Sequence, residues 1–413
     1  MPRRTPLSRL ALLLFIAAVL CAGAGAAQTL TVLHTFTGGA DGSNPYAGVT
    51  MDAAGHLYGT AEKGGAGFGT VFELKRAGAG WTFSPLYKFV GGEDGAGPDG
   101  RVAFGPNGTL YGVTAHGGNP SNCNGDGCGT VYNLRPPARA CTNALCPWAE
   151  TVVHAFGTQN PQDGIIPTGD VAFDAAGNLY GVTNNGGVQF DGTLYQLTPS
   201  DGAWTETVLH DFSGGHDGIY PGFNIVFDRS GNLYGTAGGG QWSGGVVYEF
   251  TPSESGWMES IVYAFVPFSD GSSPVGIIMD SAGNLYGGTA TGGQFGSGTL
   301  YQLSPSNGNW TFSVLEQIPE GLGCGVSGPM VMDSSGTLYG TTSCGIGGLI
   351  FQLSPSNGSW AYTELYHFTG GADGLGPNGG LVLDANGNLY GTTSNGGGGN
   401  CFQGCGVVWQ FTP

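Results

Sequence analysis

The stretch D-A-A-G-N-L-Y-G-V-T, residues 174–183, decides the fold, because versions of it recur through the whole chain. Its central phrase G-x-L-Y-G occurs seven times, and successive tyrosines are separated by 53, 69, 54, 52, 53 and 51 residues. The single long spacing contains an insertion at residues 119–148. A period of this length indicates a repeat architecture in which each unit buries its apolar surface against its neighbours. The tyrosines are Tyr58, Tyr111, Tyr180, Tyr234, Tyr286, Tyr339 and Tyr390.

Each repeat, of about 53 residues, holds four short strand-like runs, which we call a, b, c and d. Strand b carries Leu and Tyr on consecutive positions, which point to opposite faces of a sheet, so both faces need cover. Seven sheets that cover one another predict an all-β, seven-bladed β-propeller of four-stranded antiparallel blades. An open solenoid or β-helix, or two smaller domains, are the alternatives. In the fifth repeat the runs are Val275–Met279, Asn284–Thr289, Thr299–Leu303 and Trp310–Ile318.

The two ends of the chain complement each other. The last repeat stops after its strand c, Val407–Phe411, while an isolated run of type d, Leu30–Phe36, precedes the first repeat. We therefore predict that the N-terminal strand completes the seventh blade, so that residues 28–413 form one closed ring. Closure also removes exposed sheet edges.

Residues 1–27 are predicted to be an export signal. Arg3, Arg4 and Arg9 precede an apolar run at residues 10–21, and small residues with A-x-A cleavage sites follow. This predicts a secreted protein, extracellular or periplasmic.

The charge balance is strongly acidic. Without residues 1–27 the chain has eight Lys plus Arg against 29 Asp plus Glu. Nucleic acid and anionic membrane surfaces are therefore disfavoured as partners. We predict no membrane insertion, a monomer, and a neutral or cationic ligand.

Three phrases carry a resemblance to a known family. They are D-A-A-G-N-L-Y-G-V-T (Asp174–Thr183), G-T-L-Y-Q-L-T-P (Gly192–Pro199) and L-H-D-F-S-G-G-H-D-G (Leu209–Gly218). They resemble repeats of the secreted choice-of-anchor tandem repeat family of the GloVer type, and the resemblance covers Gln28–Pro413. It implies an exported bacterial repeat protein but no established activity. The phrases are also similar to propellers of sensor-type regulators, at the level of fold alone.

The loop from strand d to the next strand a contains D-G-x-x-P in six of seven repeats. In a propeller these carboxylates ring one face. Asp-Gly pairs usually hold their own turn through side chain to backbone hydrogen bonds, which is the interpretation we favour, with cation or ligand binding as the alternative. The residues are Asp41, Asp94, Asp163, Asp217, Asp270 and Asp373.

The loop from strand b to strand c adds a second ring on the same predicted face. Five repeats place an aromatic residue two or three positions after Gly-Gly. These rings are either anchors folded onto the blade, which we favour, or exposed platforms that stack on sugars or other planar ligands. The residues are Phe68, Phe190, Trp242, Phe295 and Phe402.

Two strand-d positions are predicted to serve packing. Six repeats open strand d with Trp: Trp81, Trp148, Trp204, Trp257, Trp310 and Trp360. A second position accepts either His or Tyr, as an amphipathic packing site does, so we predict no metal there. The histidines are His34, His154 and His210.

Eight cysteines follow the export signal, an even number that predicts disulfides in an exported protein. Short spacings suggest the pairs Cys123–Cys128, Cys141–Cys146 and Cys401–Cys405, which leaves Cys324 with Cys344. No zinc-binding cysteine spacing occurs.

The insertion contains N-x-N-x-D-G, at Asn122, Asn124, Asp126 and Gly127, which is similar to the start of a calcium loop. Asn133 stands at position twelve, where such a loop needs Glu. We predict a disulfide-tied tip and no cofactor, with Ca²⁺ as the weaker alternative.

No nucleophile, metalloprotease or phosphate-binding motif occurs in the sequence. We favour a non-catalytic extracellular binding propeller whose ligand, a carbohydrate or an exported protein, meets the Asp and aromatic loops. The alternative is a secreted polysaccharide lyase or hydrolase acting at the central channel or its rim. A catalytic site needs different side chains that meet at one place. The insertion and the divergent sixth repeat, which contains Glu316 and Glu320, are the regions that could supply them. A structural envelope protein is the third class.

Overall fold

A computed structural model describes residues 28–78, 80–119, 121, 123–137, 148–158, 162–254, 256–319, 325–343 and 347–413. The predicted export signal lies outside these residues. Seven antiparallel sheets follow one another along the chain, and each corresponds to one repeat. The predicted seven-bladed β-propeller is confirmed. Within the described ranges, no helix has the length and apolar character needed to cross a membrane.

The strands are numbered in chain order. They are β1 (Thr29–Thr35); β2 (Val49–Met51), β3 (Leu57–Ala61), β4 (Thr70–Ala77) and β5 (Gly80–Lys88) in blade 1; β6 (Ala96–Pro98), β7 (Ala103–Phe104), β8 (Leu110–His116), β9 (Thr130–Arg135) and β10 (Ala149–Ala155) in blade 2; β11 (Ile165–Phe173), β12 (Leu179–Asn185), β13 (Thr193–Ser200) and β14 (Ala203–Asp211) in blade 3; β15 (Ile219–Phe227), β16 (Leu233–Gly238), β17 (Val246–Ser253) and β18 (Gly256–Ala264) in blade 4; β19 (Ser272–Met279), β20 (Leu285–Thr291), β21 (Thr299–Ser306) and β22 (Asn309–Gln317) in blade 5; β23 (Val331–Met332), β24 (Leu338–Thr342), β25 (Leu349–Ser356) and β26 (Ser359–His367) in blade 6; and β27 (Leu375–Leu383), β28 (Leu389–Asn395) and β29 (Val407–Thr412) in blade 7. Two short 3-10 turns, Gly92–Asp94 and Cys123–Gly125, accompany them.

The N-terminal strand closes the ring. Strand β1 is the outermost strand of blade 7 and pairs antiparallel with β29, with Leu30 opposite Phe411 and Thr35 opposite Val407. The first strand of the described chain therefore seals its last sheet, as the two incomplete ends predicted.

Strand b explains the repeated phrase L-Y-G. Both Leu179 and Tyr180 are buried, one against each neighbouring blade. Gly181 lies opposite Tyr195 of strand c, and a Cβ at Gly181 would stand 2.3 Å from the Tyr195 hydroxyl oxygen. The glycine is required because the buried ring of strand c lies directly over it.

The core lies between the blades. In five interfaces the strand-b tyrosine packs against the tryptophan that opens strand d of the next blade, with ring centroids 5.8 to 6.1 Å apart. Tyr390 of blade 7 meets Trp81 of blade 1 in the same way, so this packing also spans the closure. The prediction that these tryptophans serve packing agrees with these contacts.

Antiparallel pairing puts the b–c and d–a loops at one end of every blade, which we call the loop face. The a–b turns and c–d hairpins lie at the other end, the turn face. At the loop face the residue before each D-G-x-x-P proline has a positive φ, as at Ile166 (57°). Its N–H donates to the b–c loop of the preceding blade, 2.8 Å from Ile166 N to Cys128 O. The two loop sets are thereby tied together.

Candidate functional site

The six aspartates of the d–a loops each hold their own loop. The Asp217 Oδ2 atom accepts the Ser213 N–H at 2.7 Å, and Oδ1 accepts the Ser213 hydroxyl at 2.7 Å. A strand-d His or Tyr adds a contact, as His210 Nε2 does 3.1 Å from Asp217 Oδ2. Equivalent bonds to the backbone N–H four or more residues upstream occur at Asp41, Asp94, Asp163, Asp270 and Asp373. The turn-holding role is therefore present in all six loops, and their role in ligand binding stays a prediction.

The five loop aromatics are exposed to solvent. The exposed fractions are 43% for Phe68, 59% for Phe190, 54% for Trp242, 44% for Phe295 and 91% for Phe402. Phe68 and Phe295 are more than half buried, but Phe190, Trp242 and Phe402 expose more than half of their surface, which disagrees with the favoured description of anchors folded onto the blade. The geometry matches that of exposed platforms.

Exposed apolar side chains concentrate on the loop face. In the described parts of the chain, thirteen large apolar residues are exposed; ten of them lie in b–c or d–a loops, and Tyr220 lies near the loop-face start of β15. The other two, Met258 and Val314, lie on outermost strands. Clustered exposed apolar surface of this kind marks interaction sites. Besides the five aromatic tips, the loop-face set contains Tyr46, Val90, Val188, Tyr220, Val266 and Phe268.

A pocket of about 420 Å³ opens at the centre of the loop face, where the channel of the propeller begins. Tyr46 of blade 1 and Tyr220 of blade 4 stand at its rim with about half of each side chain exposed. Its polar lining comes mainly from blades 1 to 3, with Glu62, Asp99 and Asp170 as the carboxylates. The d–a loops meet here because strand a is the innermost strand of each blade.

Asp99 is the most perturbed acid of this pocket. Its Oδ2 accepts a hydrogen bond from the Thr168 hydroxyl at 3.0 Å. Burial raises the pKa of Asp99, and the nearby carboxylates of Glu62 and Asp170 raise it further, against the opposing effect of the Thr168 hydrogen bond. Burial and the nearby carboxylates of Asp99 and Glu62 also raise the pKa of Tyr46. The pocket thus holds a buried carboxyl group whose charged form is disfavoured by its surroundings.

An ion pair lies between the pocket, which Asp170 lines, and a second cavity, which Arg101 lines. The Arg101 guanidinium donates to Asp170 Oδ2 from Nε at 2.8 Å and from Nη2 at 2.5 Å, and the Arg101 backbone N–H donates to Asp170 Oδ1 at 2.8 Å. The pair separates the polar pocket from a second channel cavity of about 540 Å³, whose lining includes Met330, Met332 and Leu381. A ligand at the loop face therefore meets a polar floor rather than an open tube.

Two predicted disulfides are present, Cys123–Cys128 and Cys401–Cys405. The first ties the tip of the insertion, where Asn124 adopts a left-handed conformation. The second lies in the loop that carries Phe402. Cys141, Cys146, Cys324 and Cys344, together with Asn122 and Glu320, lie outside the described residues. Burial raises the pKa of Glu316, but this residue lies on β22 and is not among the described pocket residues.

A family model for the Gloeobacter/Verrucomicrobia repeat matches residues 22–145 and 125–345. The chain belongs to this repeat family. The resemblance to GloVer-type repeats is confirmed. A search of curated proteins found no match.

Several solved structures are similar to this Gloeobacter/Verrucomicrobia repeat protein at low identity. The extracellular domain of a candidate one-component system from B. thetaiotaomicron is 13% identical, with a TM-score of 0.53 over 92% of this chain and 40% of that chain. A protein of unknown function from Dyadobacter fermentans is 12% identical, with a TM-score of 0.46 over 92% and 96%. PQQ-bound aldose sugar dehydrogenase from Streptomyces coelicolor is 13% identical, with a TM-score of 0.43 over 93% and 98%. At 13% identity, the similarity to the B. thetaiotaomicron domain shows the fold alone.

Sequence reasoning missed the central pocket of this repeat protein. Six of its lining residues stand one or three positions after the D-G-x-x-P proline, where most repeats have different side chains. A signal was present, because these positions vary between otherwise similar repeats. They are Tyr46, Asp99, Thr168, Gly222, Val275 and Asn378 at the first position and Gly48, Arg101, Asp170, Asn224, Ile277 and Gly380 at the second.

Proposed function

We propose that this protein is an extracellular, non-catalytic binding propeller whose loop face binds a carbohydrate. The observation that carries the proposal is the exposure of all five loop aromatics on the face where the central polar pocket opens. Aromatic rings offer apolar faces for sugar rings, and the pocket offers hydroxyl, amide and carboxyl groups for sugar hydroxyls. Two disulfides and the repeat family support the extracellular location.

The loop face offers a neutral polymer several contacts at once. Phe190, Trp242 and Phe295 occupy the b–c loops of three successive blades, 3, 4 and 5. Tyr220, near the start of β15 in blade 4, is exposed and lines the pocket. A sugar chain lying from the rim towards the centre would meet rings first and hydrogen-bonding groups last. The acidic balance of the chain favours neutral or cationic glycans over sulfated ones.

A glycan array followed by titration calorimetry tests this proposal. Replacing Phe190, Trp242 and Phe295 singly by Ala should weaken binding about tenfold each, because a stacked ring contributes roughly 1 kcal/mol or more. The matched control is Met258→Ala, which removes a side chain of similar exposure (57%) from an outermost strand and should leave binding unchanged. Unchanged affinity in all three aromatic variants would discard the stacking role. Capture of an exported protein, with a blank array, would replace the carbohydrate by a protein partner.

One observation favours a second candidate, a secreted enzyme acting on polysaccharide. The pocket holds two carboxyl groups in unlike surroundings, Asp99 with its raised pKa and Asp170 in an ion pair with Arg101. Such a contrast suits a general acid and its partner in glycoside cleavage. Sugar release from polysaccharides, lost in both Asp99→Asn and Asp170→Asn, would favour the enzyme. Binding that persists without turnover in the wild type would favour the leading proposal.

A further inference from the structure

Two clusters of metal-ligating side chains lie between blades, away from the central pocket. In the first, His154 comes from the outermost strand of blade 2, Asp163 from the following d–a loop, and Glu206 from the outermost strand of blade 3. One candidate ligand atom from each residue lies within 4.8 Å of the others. Three separate segments thus bring one imidazole and two carboxylates to a single point.

The groups of this cluster are buried with bonding capacity to spare. The side chains of His154 and Glu206 are 14% and 5% exposed. Counting partners among the described residues alone, neither His154 Nε2 nor Glu206 Oε1 has a hydrogen bond, and Nε2 stands 3.5 Å from Glu206 Oε2. Burying a carboxylate without a partner is costly, so a compensating group is expected. Gly157 N and Thr158 N donate to the Asp163 carboxylate at 3.1 and 3.0 Å and orient it.

The same arrangement recurs one blade further on. His210 Nε2 lies 3.1 Å from Asp217 Oδ2 and 3.7 Å from Glu259 Oε2. At two other interfaces the glutamate position holds an aromatic ring that stacks on the His or Tyr, as Phe83 does on His34 with centroids 3.8 Å apart. Where Glu replaces the ring, stacking gives way to a polar cluster. At two successive interfaces this glutamate occurs together with a histidine. Packing alone does not require that combination of residues.

Against the expectation from the sequence that His154 and His210 serve packing without a metal, we propose that each of these clusters binds Zn²⁺ through one imidazole nitrogen and two carboxylate oxygens. Imidazole and carboxylate are ordinary zinc ligands, whereas Ca²⁺ prefers sites built from oxygen alone. The ion supplies a positive charge beside the buried Glu206 carboxylate, whose Oε1 atom has no hydrogen bond to a described residue. It also links a d–a loop to the strands on both sides of it, which makes the site a structural clamp between blades. The inference is independent of the proposed ligand-binding function.

Metal analysis of tag-free, disulfide-intact full-length protein tests the proposal. After chelation and addition of ZnCl₂, mass spectrometry of the metal content should find two zinc ions per chain, and the melting temperature should rise by several degrees. Glu206→Gln should reduce the content to one, and Glu206→Gln with Glu259→Gln to none. The control is Glu150→Gln, because Glu150 occupies the same strand position beside Tyr87 and Asp94, where no histidine is present. It should retain two ions.

Several results would overturn the proposal. They are an absence of retained zinc at micromolar free metal, a zinc content that the two glutamine substitutions do not change, and stabilisation by Ca²⁺ but not by Zn²⁺. Circular dichroism of each variant without metal checks folding. Should Glu206→Gln fail to fold, His154→Tyr, which installs the residue found at the same position in other blades, replaces it with the same expected loss of one ion.

Discussion

The two faces of the propeller are built from the same repeat but have different roles. On the turn face, all seven a–b turns make one identical bond, from the backbone N–H that opens the turn to the carbonyl four residues later, at 2.9 to 3.0 Å. On the loop face, the aspartate loops are also alike, but most residues one and three positions after their prolines differ, and six of these residues line the pocket. Residues that repeat stabilise the blades. Residues that differ between the repeats do not stabilise the blades in this way, and they are available to contact a ligand.

The largest difference is expected between two glycines. Gly181→Ala should destabilise the fold by about 3 kcal/mol, because the new Cβ would overlap the buried Tyr195 ring. Gly222→Ala, at the pocket, meets nothing closer than 4.0 Å and should change stability by less than about 0.5 kcal/mol. Denaturant unfolding of both variants checks this. Equal losses would show that the pocket is packed as tightly as the blade.

The turn face should depend on its aspartates. Asp174 accepts bonds from Ala176 N, Asn178 N and Nδ2, and the Tyr180 hydroxyl, at 2.7 to 3.0 Å. Asp174→Ala should cost about 2 kcal/mol, and Asp174→Asn, which keeps the acceptor but not the charge, about half of that. Neither should alter ligand binding on the loop face. Weakened binding with unchanged loop-face structure would contradict the separation of the two faces.

The same turn predicts loss of stability in acid. Although burial opposes it, the hydrogen bonds from Asn178, Tyr180 and Ala176 leave the pKa of Asp174 below its ordinary value of 3.8. Because the folded-state pKa is depressed, this contribution is present above pH 3.8 and disappears as the pH falls through the folded-state value. Unfolding measured from pH 6 to 2 should show a smaller acid loss in Asp174→Ala than in the wild type. Parallel curves would count against these bonds.

Between blades 1 and 2, the pH dependence of stability is expected to have the opposite sign. Burial, with Asp94 nearby, raises the pKa of Glu150 from 4.5 to about 7. Protonated Glu150 therefore contributes stability that is fully present below pH 4.5 and is lost as the pH rises through about 7. Glu150→Gln should therefore gain about 1 kcal/mol relative to the wild type between pH 4.5 and 8, since partial exposure screens the charge. A pH-independent difference would refute the assignment.

The smallest effect concerns strain in a loop-face turn. Ile166 has a φ of 57°, a conformation that a β-branched residue adopts at a cost. Ile166→Asn should stabilise the protein by roughly 0.5 kcal/mol, because Asn tolerates this region and already occupies the equivalent position at Asn44. The neighbouring Ile165→Asn, which removes a residue packed on the core, should destabilise it. Thermal unfolding of the pair distinguishes strain relief from a general effect of Asn.

Much of the fold was predictable because it is local and repeated. The strands of the fifth repeat lie within three residues of their predicted ends, and the orphan run near Leu30 pairs with β29 as expected. Seven copies of one pattern give seven chances to recognise it. The aspartate and aromatic loops were located by the same means, as were two of the disulfides.

By itself the sequence determined the number of blades, the closure of the ring and which loops share a face, since periodicity and alternating burial follow from residue order. Only the tertiary structure decided that the loop aromatics face water, and that Asp99, Arg101 and Asp170 meet at the channel mouth. It also brought Glu206 to His154 across a blade interface. These contacts join residues from different repeats, and their distance depends on how the blades pack around the axis rather than on any local pattern.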